Sequence, residues 1–215
     1  MQKFSQNKEE EVILQYFEAK QLLNGKLLDI GAFDGQLFSN TRALMLKFPQ
    51  WRGVFVEPSS FCFSKLAELY EQVPRRVELI NAAIVIEDKL QKNLLKFYDY
   101  PNSTVSSLLE NHTKKYGYEE KNIDGDIIKP YKIFVGQVGL KELLETFGPF
   151  NFINIDVEGQ SAELALQSWF NPAHYNCEVL CIEHDDKTNL LQEKFTLCGF
   201  EILDINNENI IFAKI

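Results

Sequence analysis

The sequence predicts a doubly wound α/β fold in which a mostly parallel sheet lies between two layers of helices. Short apolar runs that read as buried strands alternate with longer segments of helical periodicity. Several of these runs end in a carboxylic acid, and the last two are joined only by Asn206-Asn207-Glu208, which indicates an antiparallel hairpin. We expect one domain over residues 1–215, because this length forms one full core but would be cramped as two domains.

The composition indicates a globular protein and argues against several partners. Hydrophobic residues make up 45% of the chain and charged residues 25%, both near the averages of globular domains. The formal net charge of −9 argues against a nucleic-acid partner, because proteins that neutralise many phosphates are usually basic. The first residues lack the apolar core of a signal peptide, and no apolar run of about 18 residues could span a membrane. We therefore expect a cytoplasmic protein without a membrane span.

The chain opens with a predicted helix over residues 5–23, which Ser5 can cap and Asn24-Gly25 ends. The strand Lys26-Leu27-Leu28-Asp29-Ile30 follows, and it leads into Gly31-Ala32-Phe33-Asp34-Gly35. The two glycines predict a tight turn where a ligand approaches the backbone without meeting a Cβ atom. A helical pattern over residues 36–48 begins at that turn, so its free N–H groups would face the ligand.

The spacing of the two glycines bears on the kind of ligand. A dinucleotide site needs three glycines as G-x-G-x-x-G, whereas Gly31 and Gly35 have three residues between them. A wider loop with Asp29 two residues ahead suits a zwitterionic amino-acid ligand. The alternative is an ordinary turn between a strand and a helix.

The next two strands end in residues that suit a nucleoside. Glu57 and Pro58 close the second strand, with Glu57 about 22 residues beyond the glycine loop, where doubly wound folds place an acid that binds a ribose diol. The alternative for Glu57 is a solvated acid at a strand end. Ser59 or Ser60 caps the helix that follows. Asn81 and Ala82 leave the third strand and would give a planar ring one polar partner and a close apolar wall.

Two stretches carry a resemblance to a known family. Asp29-Ile30-Gly31-Ala32-Phe33-Asp34-Gly35 resembles the first motif of class I S-adenosylmethionine-dependent methyltransferases. Ile155-Asp156-Val157-Glu158-Gly159 closely resembles the K-I-D-V-E-G motif of the FkbM family, although Asn154 stands where lysine is usual and removes a cation from the strand. The resemblance covers residues 26–213. It implies a Rossmann-like class I methyltransferase fold with a mostly parallel seven-stranded sheet, and most members of the family are O-methyltransferases.

The resemblance also implies a cofactor and an acceptor. The cofactor would be S-adenosyl-L-methionine, with Glu57 on both ribose hydroxyls and Asn81 and Ala82 at the adenine. The acceptor would be a hydroxyl on a glycan or small metabolite, selected by residues 85–136, which break the alternation of strands and helices. The implied cofactor-binding residues are Asp29, Gly31, Ala32, Phe33, Asp34, Gly35, Glu57, Pro58, Ser59, Asn81, Ala82 and Asp156.

A hydroxyl acceptor needs a base, and the candidates are Asp156, Glu158 and His184. If the chain is still extended at Asp156 and Glu158, both carboxylates point to one side and raise each other's pKa. The alternative is that Glu158 caps the following helix; we favour Asp156 facing the donor methyl while Glu158 fixes the turn. Histidine is a common general base, so His184 could serve as one here, or it could be a surface residue at a strand end.

Competing uses of the same residues stay open. Asp156, Glu183 and Asp185 are hard oxygen ligands on neighbouring strand ends, and they could hold Mg²⁺. A Rossmann-type oxidoreductase is disfavoured because G-x-G-x-x-G is absent. A non-catalytic binding module that kept the fold is the remaining alternative.

Overall fold

The computed structural model describes residues 3–91, 94–100, 103–110, 120–121, 127–128 and 130–215. The strands are β1 (Lys26–Ile30), β2 (Arg52–Val56), β3 (Val77–Ile80), β4 (Ala83–Val85), β5 (Leu95–Asp99), β6 (Glu120–Lys121), β7 (Ile127–Ile128), β8 (Tyr131–Val135), β9 (Gln137–Gly139), β10 (Phe152–Ile155), β11 (Val179–Glu183), β12 (Phe200–Ile205) and β13 (Asn209–Lys214). The α-helices described are α1 (Glu9–Ala19), α2 (Arg42–Lys47), α3 (Ser60–Tyr70), α4 (Leu140–Phe147), α5 (Ser161–Ala165) and α6 (Thr188–Leu197). Short 3₁₀ helices lie at Pro74–Arg76, Glu87–Lys89 and Pro172–Tyr175. No helix in these ranges is long and apolar enough to cross a membrane.

Seven strands form the main sheet in the order β12-β13-β11-β10-β1-β2-β3. Neighbours from β11 through β3 pair in parallel, whereas β13 runs antiparallel to both β11 and β12. The prediction of a mostly parallel seven-stranded sheet with an antiparallel C-terminal hairpin is confirmed.

Apolar cores lie on both faces of this sheet because alternate side chains of each strand point to opposite sides. Leu28 belongs to one core, which also contains residues of α4, α5 and α6. Leu27 belongs to the other core, together with residues of α1, α2 and α3. Strands buried on both faces read as continuous apolar runs, which is why the sequence located β1, β2, β10 and β11 well.

The register of the central strands brings acids to one edge of the sheet. Ile30 at the end of β1 pairs with both Val56 and Ile155, and Ile155 pairs with Ile182. Because the strands are parallel, the acids that follow these positions meet at their carboxyl ends. They are Glu57 after β2, Asp156 after β10 and Glu183 at the end of β11.

The N-terminal helix is shorter than predicted. It begins at Glu9 rather than at residue 5, because Lys8 has a left-handed backbone and the preceding segment turns back on the helix. Glu10 accepts hydrogen bonds there from the backbone N–H groups of Phe4 and Ser5. Helix α1 ends at Ala19, before the predicted end at residue 23, and Gln21 just beyond it has a positive φ of 55°.

The predicted start of the helix after the glycine loop, at residue 36, is wrong. Asp34 Oδ1 accepts hydrogen bonds from the N–H groups of Gln36 and Leu37, both at 2.8 Å, and Phe38 has a positive φ of 55°. These turns delay α2 until Arg42, so its free N–H groups do not lie at the glycine turn. Ser39 Oγ accepts a hydrogen bond from the N–H of Arg42 at 3.1 Å, so the first N–H group of α2 has a side-chain partner.

The described residues between β3 and α4 form two-stranded sheets that are separate from the main sheet. Strand β4 pairs with β9 in parallel, β5 pairs with β8 antiparallel, and β6 pairs with β7 antiparallel. Strands β5 and β8 read in the sequence as the apolar and aromatic runs Leu95–Asp99 and Tyr131–Val135. Residues 92–93, 101–102, 111–119, 122–126 and 129 of this segment lie outside the described residues.

Candidate active site

A cleft with two compartments lies at the carboxyl edge of the sheet. The first compartment contains about 600 Å³ of empty space and the second about 990 Å³, both open to solvent. The residues that line both compartments are Gly31, Phe33, Thr104, Asp156 and Glu158. The glycine loop and the end of β10 therefore form the junction between them.

The first compartment is mainly apolar and contains one buried acid that accepts backbone hydrogen bonds. Its apolar walls include Ile30, Val56, Pro58, Ala82, Ala83, Ile84, Phe97 and Leu108. Glu57 is only 6% exposed. Its Oε2 accepts the N–H of Phe33 at 2.9 Å, and its Oε1 accepts the N–H of Ser59 at 2.7 Å. A carboxylate has about four acceptor sites, so this geometry fixes Glu57 and leaves sites for a ligand with hydroxyl groups.

The protonation of Glu57 is set by its surroundings. Burial raises its pKa to about 7, the two backbone N–H donors oppose that shift, and the charges of Asp99 and Asp29 add to it. Asp99 is itself buried at the end of β5, where Ser106 Oγ donates to its Oδ1 at 3.3 Å. Asp99 is thus a further acid at the end of a strand, and this position could have marked it as a candidate from the sequence.

A Cβ atom on either glycine of the loop would point at protein atoms, and both glycines have a positive φ. A Cβ atom on Gly31, whose φ is +85°, would lie 1.7 Å from the backbone oxygen of Asp156. A Cβ atom on Gly35, whose φ is +73°, would lie 2.6 Å from Leu66 Cδ1. The positive φ of both residues fits the predicted tight turn, and the backbone of Gly31 lines both compartments.

The other predicted cofactor residues divide into two groups. Ala82 and Pro58 line the first compartment, Ala32 and Asp29 line the second, and Phe33 lines both. The structure does not place Asp34, Gly35, Ser59 or Asn81 among the lining residues.

Three of the predicted residues that do not line the cleft form hydrogen bonds that stabilise the backbone around it. Asp34 closes the turn after the loop, and Ser59 caps α3 by accepting the N–H of Cys62 at 3.4 Å. Asn81 Nδ2 donates to the backbone oxygen of Glu57 at 2.8 Å. These bonds position Glu57 and the loop.

The second compartment is strongly acidic. Its carboxylates belong to Asp29, Asp156, Glu158, Glu183 and Glu208, and none of its described lining residues is Lys, Arg or His. Oxygens of Asp156, Glu158 and Glu183 lie within 4.8 Å of one another. Burial and the charges of neighbouring acids raise the pKa of Asp156 and that of Glu183 well above the ordinary range. The compartment therefore favours ligands that carry positive charge.

A buried polar network lies beneath this compartment. Thr41 Oγ1 donates to Asp29 Oδ2 at 2.6 Å, and Asn154 Nδ2 donates to Asp29 Oδ1 at 2.9 Å. Asn40 Nδ2 donates in turn to Asn154 Oδ1 at 3.1 Å. Burial raises the pKa of Asp29, and the two donors oppose the shift. Asn154, which stands where the FkbM motif has lysine, is thus a neutral donor to Asp29.

The turn after β10 differs from the predicted geometry. Glu158 has a positive φ of 41°, so the chain is not extended there, yet its carboxylate still meets that of Asp156. The N–H of Ala162 in the first turn of α5 donates to Asp185 Oδ2 at 2.8 Å, so Asp185 supplies the carboxylate that Glu158 was expected to provide. The acids grouped closely enough to share a cation are therefore Asp156, Glu158 and Glu183, without Asp185.

His184 is not brought together with the acids of the cleft. Its Nδ1 accepts the N–H of Asp186 at 3.2 Å, and its Nε2 lies 3.4 Å from the backbone oxygen of Asn206. It lines neither compartment. His184 was a candidate base because it lies at the end of a strand, but that position does not determine the direction of its imidazole ring.

Several residues of the cleft were missed from the sequence. Thr104 belongs to the segment over residues 85–136 and lines both compartments. Asn40 and Glu208 line the second compartment from the turn before α2 and from the closing hairpin. No local pattern distinguishes these two, because only the tertiary fold brings them to the cleft.

Solved structures similar to this chain are class I methyltransferases. The chain superposes on a candidate caffeoyl-CoA O-methyltransferase from Staphylococcus aureus with a TM-score of 0.52 and 9% identity, over 99% of this chain and 85% of that one. It superposes on precorrin-6y C5,15-methyltransferase from Geobacter metallireducens GS-15 with a TM-score of 0.50 and 12% identity, over 97% and 91% of the two chains. At these identities the likeness shows the fold alone, which is the Rossmann-like class I methyltransferase fold.

No protein-family model matches the chain, and no curated protein matches it. Membership of the FkbM family therefore stays a prediction from the two motifs.

Proposed function

We propose that this protein is an S-adenosylmethionine-dependent methyltransferase that methylates a hydroxyl group on a glycan or small metabolite, within or near the FkbM family. The observation that carries the proposal is the position of Asp156 at the junction of the two compartments. A methyl donor in one compartment and an acceptor in the other would meet at this carboxylate. The methyltransferase fold is consistent with the proposal by analogy.

The residues of the first compartment fit the cofactor. Glu57 has unused acceptor sites for the two ribose hydroxyls, and Ala82, Ile84 and Phe97 offer apolar walls for an adenine ring. The cofactor has a sulfonium cation, which the acids at the junction would stabilise. When bound, it supplies an electrophilic methyl group.

Asp156 would act as the general base. Asp156 would take the hydroxyl proton of an acceptor in the second compartment, and the cofactor held by the first compartment would supply the methyl group and leave as S-adenosylhomocysteine. The pKa of Asp156 is raised by burial and by Glu158 and other acids, and a bound cation would lower it again. A carboxylate poised in this way can accept a proton near neutral pH. The backbone oxygen of Glu158 accepts a hydrogen bond from the Ser107 hydroxyl at 2.8 Å, which fixes the turn beside Asp156.

The second compartment favours an enzyme over the alternative of a cofactor-binding module. A module that only binds the cofactor needs the first compartment, whereas an enzyme needs a second space that shares the reacting group. The acids of that space also argue against nucleic acid as the acceptor, because they repel phosphates.

Equilibrium dialysis against tritiated S-adenosylmethionine and against NAD tests the cofactor, and tritium transfer to a panel of hydroxyl compounds tests the reaction. We expect S-adenosylmethionine to bind and NAD not to bind, with transfer to at least one acceptor. Binding of NAD alone would contradict the proposal. Binding of S-adenosylmethionine without transfer to any acceptor would support the binding module instead.

Replacement of Glu57 should weaken the cofactor complex in a pH-dependent way. Glu57→Ala should reduce the affinity for S-adenosylhomocysteine by about 1.5–3 kcal/mol, the range for hydrogen bonds to a charged group. Because a pKa of about 7 means that a proton must leave Glu57 before binding, the wild-type affinity should rise about tenfold from pH 6 to pH 8. Calorimetry at both pH values measures the two effects.

The exposed acid Glu71, just beyond α3, provides the control as Glu71→Ala, which should leave the affinity unchanged. A folded Glu57→Ala variant with wild-type affinity at both pH values would show that Glu57 does not contact the cofactor.

A further inference from the structure

We propose that Phe38 determines acceptor specificity by stacking its ring on the acceptor, and that the acceptor is a sugar in its ring form. This inference rests on the proposed function, because it takes the second compartment as the acceptor site. The apolar C–H face of the sugar would lie on the ring of Phe38, and the sugar hydroxyls would point towards the polar groups that line the rest of the compartment.

Phe38 is not part of the hydrophobic interior of the protein. It is 44% exposed, and it belongs to none of the apolar cores that the described residues form. It lines the second compartment and not the first, so the exposed part of its side chain can contact a ligand there. Packing of the fold therefore does not account for an aromatic residue at this position.

The backbone of Phe38 also disfavours a large side chain. Its φ of 55° lies in the left-handed region, where the Cβ atom crowds the following carbonyl oxygen, and glycine or asparagine adopts that conformation at lower cost. Among the described non-glycine residues with a positive φ, Phe33 and Phe38 are the only apolar ones, and both line the second compartment. A strained aromatic residue outside the cores agrees with a role in binding.

Hydrogen bonds hold the chain on both sides of Phe38. Before it, the N–H of Leu37 donates to Asp34 Oδ1 at 2.8 Å. After it, Ser39 Oγ accepts the N–H of Arg42 at 3.1 Å, and Ser39 is buried. A ring on a backbone that is already fixed loses less conformational freedom when a ligand binds, and this preorganisation favours stacking.

The lining of the compartment favours a sugar over a planar aromatic acceptor. Hydroxyl and amide side chains lie around the same space as Phe38, and they belong to Ser39, Asn40, Asn154 and Asn209. A sugar ring has hydroxyl groups at its edge for such partners, and its C–H groups carry the partial positive charge that the negative face of an aromatic ring attracts. A planar aromatic compound with few hydroxyls would make few hydrogen bonds to these groups.

Saturation-transfer difference NMR on the full chain saturated with S-adenosylhomocysteine tests the acceptor class. The probes are the methyl α-pyranosides of D-glucose, D-galactose and D-mannose, the matching open-chain alditols, and catechol. We expect at least one pyranoside to bind about fivefold more tightly than its alditol, with the strongest saturation on the C–H protons of one ring face. Binding of no pyranoside, equal binding of the alditol, or preferred binding of catechol would overturn the proposal.

Variants of Phe38 separate stacking from folding. Phe38→Asn should maintain or raise the melting temperature, because asparagine tolerates a positive φ, and it should weaken pyranoside binding about fivefold. Phe38→Leu keeps an apolar side chain without a ring and should weaken binding as well, whereas Phe38→Tyr keeps the ring and should retain it. The control is Phe61→Asn, which removes a ring that is 41% exposed on α3 and lines neither compartment, and it should leave pyranoside binding unchanged.

The inference and the proposed function fail in different ways. Wild-type pyranoside affinity in both Phe38→Asn and Phe38→Leu would remove Phe38 from the acceptor site. Weaker S-adenosylhomocysteine binding in these variants, with unchanged pyranoside binding, would place Phe38 at the cofactor and overturn the inference. If the wild type binds no S-adenosylhomocysteine, the proposed function itself fails.

Discussion

Asp156→Asn is expected to reduce single-turnover methyl transfer by about 10²-fold or more, the range for loss of a general base. The amide has the shape of the carboxylate but cannot accept the proton of the acceptor hydroxyl. The affinity for S-adenosylmethionine should stay within a few fold, because Glu158 and Glu183 still provide negative charge at the junction. The melting temperature should be maintained or rise, since one of three crowded acids becomes neutral.

Glu158→Gln is the matched comparison, and it should reduce the rate less than Asp156→Asn does. The measurement is quenched-flow transfer of a tritiated methyl group to an acceptor found in the panel, beside thermal melting of each variant. Near-wild-type turnover by Asp156→Asn would remove Asp156 from the role of base.

Gly31→Ala is expected to destabilise the fold by about 3 kcal/mol or more, in the class of large effects with a defined steric cause. The added Cβ atom would meet the backbone oxygen of Asp156 at 1.7 Å, and the φ of +85° disfavours any side chain. Gly31 and Asp156 directly follow the paired strands β1 and β10, and their N–H groups donate to the backbone oxygens of Val56 and Ile30, so neither can shift cheaply. The melting temperature should fall by about 6–12 °C for a chain of this size.

Gly199→Ala separates the two causes. Gly199 also has a positive φ, of +83°, but its Cβ position has no atom within 4 Å. This variant should cost only about 1 kcal/mol, from backbone strain alone. Equal melting temperatures for the two variants would show that the contact between Gly31 and Asp156 is not important for stability.

Much of the fold could be predicted because its strands are local patterns. Buried runs such as Phe152–Ile155 are apolar on both faces, and an acid or glycine follows most of them. The ends of helices were less predictable, because side chains form hydrogen bonds with nearby backbone N–H groups and so hold the chain in turns. Asp34 bonds to the N–H groups of Gln36 and Leu37, and the turns that follow delay α2, although the apolar pattern begins earlier.

The site was predictable where strand ends define it, and less so where distant residues meet. Glu57 and Asp156 lie in the cleft because parallel strands place their ends together. Glu208 reaches the same space only through the hairpin between β12 and β13 and the N-terminal segment that binds it. The role of Gly31 could not be predicted either, since the atom that requires it belongs to Asp156, far along the chain.

The buried pair Asp29 and Asn154 also has a consequence for how the sheet assembles. These residues are direct partners in the register of β1 and β10, among isoleucines and leucines that would tolerate several alignments. A slip of one residue would place Ile153 or Ile155 opposite Asp29 and turn the Asn154 amide to the other face. The carboxylate would then be buried without that donor, a costly state in an apolar interior. The pair thus discriminates against misaligned sheets and selects one pairing of the two central strands.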